Sequence, residues 1–360
     1  LATLPAKTTS NNEIFQCSGH PAEFRVVHRA GNGLTLSEIA EGTTMRAMIA
    51  AIALMLPGPL LAQETVLFTL GAGDVSGSYY ASAFAICDIV NRTDAGQLRC
   101  SPEATAGSIY NLDALRRGQI DFAMVQSDWQ RSAYEGTGPY ADIGPMSDLR
   151  SVMSLYSETL SVLVSSTSDI KKLADLRGKR VDVGVPSSGR RATVDRILAT
   201  LGYAPADFAA LAELPAGVAI ESLCSGSIDA TLLIVGHPNA AVARALSTCG
   251  ARLVPLTTAE ARAVVDDNPA LRKTIIPMTF YPDQTRVVDS VAVTSTVVTR
   301  AGTDAKTVAA LVKDTVGNLD LLAQRAPVLS GLSPRAMRQV GLSAPLHPGA
   351  EAAFAEAGVP

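Results

Sequence analysis

The chain has 360 residues, 47% of them hydrophobic and 18% charged, with a formal net charge of −4. That length and apolar content supply large cores for about two domains and exclude disorder as a whole-chain state. No basic stripe is visible, so no nucleic-acid partner is expected, and no apolar run reaches the ~18 residues of a membrane-spanning helix.

Residues 1–44 are polar and aperiodic. Met45 and Arg46 then open an apolar run over 47–56, broken by Pro57-Gly58-Pro59 and followed by small and polar residues around Ala62. A charged start, a short apolar core, a breaker and a small residue at the cut are the parts of a secretory signal. We therefore expect 45–62 to be a signal peptide cleaved near Ala62, 1–44 to be an upstream leader outside the fold, and the mature protein to be exported.

After this point strand and helix patterns alternate. Strands are expected at 65–70, 121–126, 150–155, 159–165, 180–185 and 228–235, with a long β-branched stretch at 287–299. Helices are expected at 79–91, 190–201 and 303–322. The second of these places Val194, Ile197, Leu198 and Leu201 on one face. This alternation predicts α/β layers with mainly parallel sheets. Of five cysteines, Cys17 lies in the leader. Cys87, Cys100, Cys224 and Cys249 allow three pairings. Cys87–Cys100 and Cys224–Cys249 are favoured because each closes a short loop in an oxidising compartment. No Cys-x-x-Cys spacing is present, so zinc or thioredoxin-like chemistry is not expected.

Two segments echo each other about 110 residues apart: 112–123 (LDALRRGQIDFA) and 220–231 (IESLCSGSIDAT). Both read as helix, Gly-x-Ile-Asp, strand, with Gly118 and Gly226 where a left-handed helix end is needed. A second echo links GAGDVSGSYY (71–80) to GVPSSGRR (184–191), each a Ser-Gly turn between a strand and a helix. Two related lobes facing across a cleft explain both echoes. Ligands sit beyond the carboxyl ends of strands in such sheets, and free helix N-terminal amides favour anions there.

The first loop lacks the dinucleotide fingerprint and the P-loop lysine, so it reads as a backbone cradle for ligand, with no cofactor implied. Ser76, Gly77 and Tyr79 are its candidate contacts, although Tyr79 also suits the core. Thr105, Ser108 and Asn111 open the next helix, where a hydroxyl also serves as a cap. Gln126 ends a strand and Ser127 begins a helix. Ser187, Ser188 and Gly189 form the second loop. Arg190 and Arg191 stand at a helix start, an unfavourable place for cations unless an anion is near. His237 completes the candidates, although a histidine at such a turn more often serves structure. No catalytic residue is assigned: there is no G-x-S-x-G elbow or metal-ligand cluster. The best pair for a competing enzyme reading is Glu158 with His237.

These motifs in order resemble the TAXI branch of TRAP-transporter solute-binding proteins. The resemblance rests on GAGDVSGSYY, ATAGSIYNLDALRRGQIDFAMVQSD, LRSVMSLYSETLSVLV, IKKLADLRGKRVDVGVPSSGRRAT, LIVGHPN and FYPDQTRVVDSVAV, and covers nearly all of 64 to about 321. It implies a two-lobed periplasmic-binding-protein fold with β-strand hinges at 157–164 and 291–298. Lobe I would take 64–156 plus about 296–360, and lobe II 157–295. The implied function is capture of a small carboxylate, such as glutamate, glutamine or 2-oxoglutarate, for delivery to TRAP permease subunits. A monomer is the default, and a receptor feeding a sensor is the alternative. Asp74 intrudes in the first loop, and Arg190 stands where the family usually carries Thr.

Overall fold

The structure, a computed structural model, describes residues 65–93 and 97–359. The expected leader, the signal segment and Cys17 lie outside these residues. Strand β1 (Val66–Gly71) leads through the glycine-rich loop to helix α1 (Ser78–Thr93), and β2 (Leu98–Glu103) leads to α2 (Ser108–Arg116). β3 (Phe122–Gln126) runs directly into α3 (Ser127–Glu135), and the 16-residue β4 (Leu149–Val164) crosses to the second half. That half holds β5 (Arg180–Asp182), α4 (Gly189–Thr200), β6 (Ala210–Ala212), α5 (Ala216–Cys224) and β7 (Ala230–Gly236). It continues with α6 (Ala240–Cys249), β8 (Arg252–Val254), α7 (Thr258–Asp267) and β9 (Arg272–Ile276). β10 (Val288–Arg300) crosses back. The chain ends in α8 (Ala305–Gly317), α9 (Leu319–Arg325), α10 (Pro334–Gln339) and α11 (Pro348–Glu356).

The main strand order is β2-β1-β3-β10-β4-β7-β5-β6, with β8 against β4 and β9 against β10. The internal echo is visible in this order. β1 is parallel to β2 and β3, and β5 is parallel to β6 and β7. The sheet is not mainly parallel as expected, because β10 is antiparallel to β3, β4 and β9, and β4 to β7 and β8. Gly118 after α2 and Gly226 after α5 have φ of 68° and 75°, the left-handed turn that a glycine makes at little cost.

The core divides at the two crossing strands. Val152, Met153, Leu155 and Tyr156 of β4 and Val297 of β10 pack with α1 and α8 of the first half. Leu160, Val162 and Val164 of β4, with Val291 and Val293 of β10, pack against α4 and α7 of the second. The division on β4 falls between Tyr156 and Leu160, and on β10 between Val293 and Val297. The β4–β10 register slips between Thr294 and Thr296 and again between Val297 and Val298. The result is the two-lobed α/β architecture with paired β hinges.

Two expected segments take a different form, and several short elements, among them β2, β6, β8 and β9, were not expected. Residues 150–155 and 159–165 belong to one strand, β4, because the backbone stays extended past the bulge at Leu155 and Tyr156, and Ser157 and Glu158 resume pairing with Thr294 and Val293. The expected helix over 303–322 is two helices broken at Asn318, whose side chain donates to Asp314 O at 2.8 Å. β2 went unread because it contains Pro102. The proline is tolerated there because β2 is an edge strand paired only with β1.

Both favoured cysteine pairings are present. Cys87–Cys100 joins α1 to β2 with Cα atoms 4.9 Å apart, and Cys224–Cys249 joins the ends of α5 and α6 at 5.4 Å. The first lies in the core of the first lobe, so replacing both its cysteines with Ser should lower unfolding stability by about 2–4 kcal/mol. Denaturant unfolding under oxidising conditions measures this, with the Cys224→Ser/Cys249→Ser protein as the parallel case.

Candidate functional site

A cavity of about 310 Å³ lies between the lobes, beyond the carboxyl ends of β1, β3, β5 and β7. Gly73, Asp74, Gly77, Ser78 and Tyr79 border it from the β1–α1 loop, and residues 105–108 and Gln126 from the rest of the first lobe. Glu158 of β4 enters at the hinge. The second lobe contributes Val185, Ser188, Gly189, Arg190, residues 214–216, Ile234 and Val235, a mostly apolar wall.

The lobes touch around this cavity. The Trp129 indole N–H lies 2.9 Å from Thr193 Oγ1 and 3.2 Å from Gly189 O, and Asp128 Oδ2 is 3.1 Å from the same Thr193 hydroxyl. Tyr110 N donates to Ser187 O at 3.2 Å, and Gly217 N donates to Ser76 Oγ at 3.1 Å. Asn239 Nδ2 donates to Ser78 Oγ at 3.0 Å. A β-carbon at Gly189 would collide with Gln126 Oε1 and Ser108 Oγ, so the glycine sets how closely the lobes approach.

Eight candidate contacts border the cavity: Gly77, Tyr79, Thr105, Ser108, Gln126, Ser188, Gly189 and Arg190. Several are already engaged. The Thr105 hydroxyl lies 2.7 Å from Asn111 Oδ1, and Ser188 caps α4 by accepting from Arg191 N at 3.0 Å.

The other six do not border it. Asn111 is fully buried, and its amide donates to Ala72 O at 2.7 Å and Met124 O at 2.8 Å. It clamps α2 to the sheet instead of facing the cleft. Ser76 accepts from Gly217 across the mouth, Ser127 accepts from Thr294 N at 3.1 Å, and Ser187 contributes its carbonyl to Tyr110. Arg191 pairs with Asp195 and Glu213 on the surface.

His237 lines a different cavity with Phe280 and Leu332. Its Nε2 is 2.9 Å from Ser161 Oγ, its Nδ1 bonds the Tyr281 hydroxyl, and burial lowers its pKa to about 4. Glu158 and His237 therefore do not form the acid–base pair that the enzyme reading needs.

Arg190 does not await an external anion. The sequence reading supplied an external anion to explain a cation at the start of a helix. The anion is the protein's own Asp182, which is fully buried and paired with Arg190 Nη2. Arg190 Nε also donates to Leu232 O at 2.7 Å, and Asp74 acts on its charge from the facing lobe. Its charge is matched before any ligand arrives.

The chain matches the NMT1-like family over residues 70–358. It belongs to that family. Among solved structures, it is similar to a protein of Bordetella bronchiseptica RB50 at 20% identity and a TM-score of 0.49, covering 74% of this chain and 77% of that one. The periplasmic aliphatic sulphonate binding protein SsuA of Escherichia coli is similar at 17% identity and a TM-score of 0.41, over 74% and 82% of the two chains. The alkanesulfonate-binding protein SsuA of Xanthomonas axonopodis pv. citri, bound to MOPS, gives 18% and 0.42 over 82% and 85%. These likenesses are too distant to speak for this chain's solute.

The unsatisfied acid of this cavity is Glu158. It is 4% exposed, and neither its Oε1 nor Nε2 of the neighbouring Gln126 makes a hydrogen bond of normal geometry, although Tyr79 and Gln126 both stand close enough to favour its charged form. Burial pushes its pKa up to about 8, opposed by Tyr79 and raised further by Asp128. Burial likewise raises Asp128 to about 6. Glu158 enters the sequence reading only as half of the competing enzyme pair, because a lone acid inside an apolar strand looks like a solvent-facing residue.

Two predictions follow from this geometry. Between pH 4.5 and about 8 the folded protein keeps a proton on Glu158 that the unfolded chain releases, so stability falls as pH rises through that window. The slope from this group is at most about 1.4 kcal/mol per pH unit. Glu158→Gln should remove that component, seen as the difference between the two proteins' pH profiles in urea unfolding. Gly189→Ala should leave helix α4 intact, since Ala is the better helix former, but hold the lobes apart. Trp129 is the only tryptophan, and its emission should then move to longer wavelength.

Proposed function

We propose that this NMT1-like protein is a periplasmic solute receptor of a membrane import system. In this reading it closes two lobes over a small carboxylate and presents the closed surface to permease subunits of the TRAP type. The observation that carries the reading is the cavity enclosed between lobes that share only two crossing strands and hydrogen-bond across its rim. Ligand that touches both walls binds the closed arrangement better than the open one, and that difference in affinity drives closure. The first turns of α1 and α4 border the cavity from opposite lobes. Backbone amides there and the helix dipoles suit the carboxylate end of the solute. Ser108 and Gln126 stand on the first-lobe wall to orient it, and the apolar second-lobe wall covers its body. The resemblance of residues 71–80, 104–128 and 170–193 to TAXI receptors supports the same reading.

The test is titration of residues 63–360 with amino acids, keto acids and dicarboxylates, followed by Trp129 emission, thermal unfolding and small-angle scattering. A cargo should give a saturable fluorescence change, compaction, and recovery of the solute unaltered. At a hundredfold excess over Kd it should add about 2.7 kcal/mol of apparent stability. Tight binding without compaction would overturn the closure mechanism, and conversion of the solute would overturn the receptor role.

A further inference from the structure

The charge arrangement of the cavity points to a feature of the solute beyond a carboxylate. Two acids, Asp74 and Glu158, and one base, Arg190, border the cavity. Arg190 is already paired with Asp182, so among the described residues the lining offers no uncommitted cation. A purely anionic solute would add negative charge beside two carboxyl groups. Glu158 meanwhile has an oxygen buried without a partner, although its side chain stands at the cavity wall. An unpaired buried acceptor is costly to keep and is relieved by a donor that arrives with the ligand. Neutral donors would also satisfy the oxygen; a cation in addition stabilises the ionised form of Glu158 and answers the charge of Asp74 on the facing wall.

We propose that Glu158 is the specificity-determining residue of the cavity and that it receives a primary or secondary ammonium group of the solute, making the cargo an amine-bearing compound and excluding its oxo analogue. The inference rests on the receptor reading above and narrows it. The ammonium donates to Glu158 Oε1, while Gln126 Nε2, also unpartnered, is left to donate to an oxygen on the same solute. The apolar second-lobe wall of Val185, Leu214, Ile234 and Val235 accepts the carbon body.

Binding of this kind moves a proton. Burial keeps Glu158 protonated up to about pH 8 in the empty cavity, and pairing with an ammonium favours the ionised form. The solute arrives already protonated, so the proton on Glu158 leaves to solvent and the ion pair remains. The other titratable or charged groups facing Glu158 are Tyr79 of α1, Tyr156 of its own strand and Asp128 of α3, with Asp74 and Arg190 on the remaining walls. Comparing matched solutes cancels their contributions.

The experiment is calorimetric titration of the wild-type protein and Glu158→Gln with two matched pairs: leucine against 4-methyl-2-oxopentanoate, and glutamate against 2-oxoglutarate. Titrations are repeated at pH 6.5 in two buffers of different ionisation enthalpy. In at least one pair the amine should bind the wild type at least tenfold tighter than its oxo partner, with release of about one proton. In Glu158→Gln that ratio should collapse towards one and the proton release should vanish. The substitution keeps the side chain's shape, and retained binding of an oxo acid, or an unchanged circular dichroism spectrum, shows that the variant is folded. An oxo acid bound by the wild type as tightly as its amine, or a ratio unchanged in Glu158→Gln, overturns the inference and leaves the receptor standing. Silence of the wild type towards both pairs, with binding of a solute that carries no amine, also overturns it. Silence towards every solute in the wider panel overturns the receptor reading and the inference together.

Discussion

The structure depends on one antiparallel pair. β4 and β10 are the two strands that belong to both lobes, and every other element sits on one side or the other of the point where they cross. A long strand is stiff where its ladder is regular and its side chains are packed. It yields where the register slips, and the pair slips between Thr294 and Thr296. Arg272 of β9 braces this point, donating to Thr294 Oγ1 at 2.8 Å and bonding the Ser157 hydroxyl. In the closure proposed above, the bend falls at these irregular residues and each lobe keeps its own core. The cavity opens beside that bend, and Glu158, one residue past Ser157, is carried by the hinge itself.

Placing an acid there makes the site sensitive to what fills it. Elsewhere in the cleft the polar groups are satisfied internally. Asn111 spends its amide on backbone carbonyls, Thr105 bonds Asn111, and Arg190 bonds Asp182, Thr231 and the Leu232 carbonyl. These bonds hold the cavity wall in shape without ligand, so little ordering remains to be done on binding. Glu158 and Gln126 are the exceptions. Unsatisfied groups in an otherwise satisfied wall concentrate discrimination at one spot, since a solute that cannot pair with them leaves their desolvation uncompensated.

Much of this architecture was legible in the residues, for definable reasons. Alternating apolar periods marked most strands and helices, and the paired Gly-x-Ile-Asp and Ser-Gly segments exposed the lobe repeat because the same backbone turn needs the same small residues. Cysteine spacing identified both disulfides because each joins neighbouring elements. What failed was reading side-chain direction. Asn111 and Arg190 have the chemistry of ligand contacts and stand next to the cleft, but the partners that consume them, Met124 and Asp182, come from other elements that no local pattern connects to them. His237 was drawn to the site by chain position, although the chain turns there and sends its ring to Ser161 and Tyr281. The single strand β4 was read as two because Ser157 and Glu158 interrupt its apolar run, and that interruption is where the strand passes the cavity.

Closure and detection share one contact. Trp129 is buried, and its indole N–H meets Thr193 and the Gly189 carbonyl on the opposite lobe. That carbonyl belongs to the residue whose missing side chain lets the lobes meet. Asp128, next in the chain, bonds the same Thr193 hydroxyl, so its charge state bears on the same latch. Separation of the lobes by even a water's width breaks all three bonds together and wets the indole. On the proposal above, a solute seated on Glu158 would act through two linked elements: the hinge strand it touches, and the latch on the far side of Gln126. Because Thr193 Oγ1 is also 3.4 Å from Gln126 Oε1, the cavity wall and the latch are one hydrogen-bonded assembly. In the proposed receptor role, a solute that contacts Gln126 would favour the closed arrangement through this assembly alone.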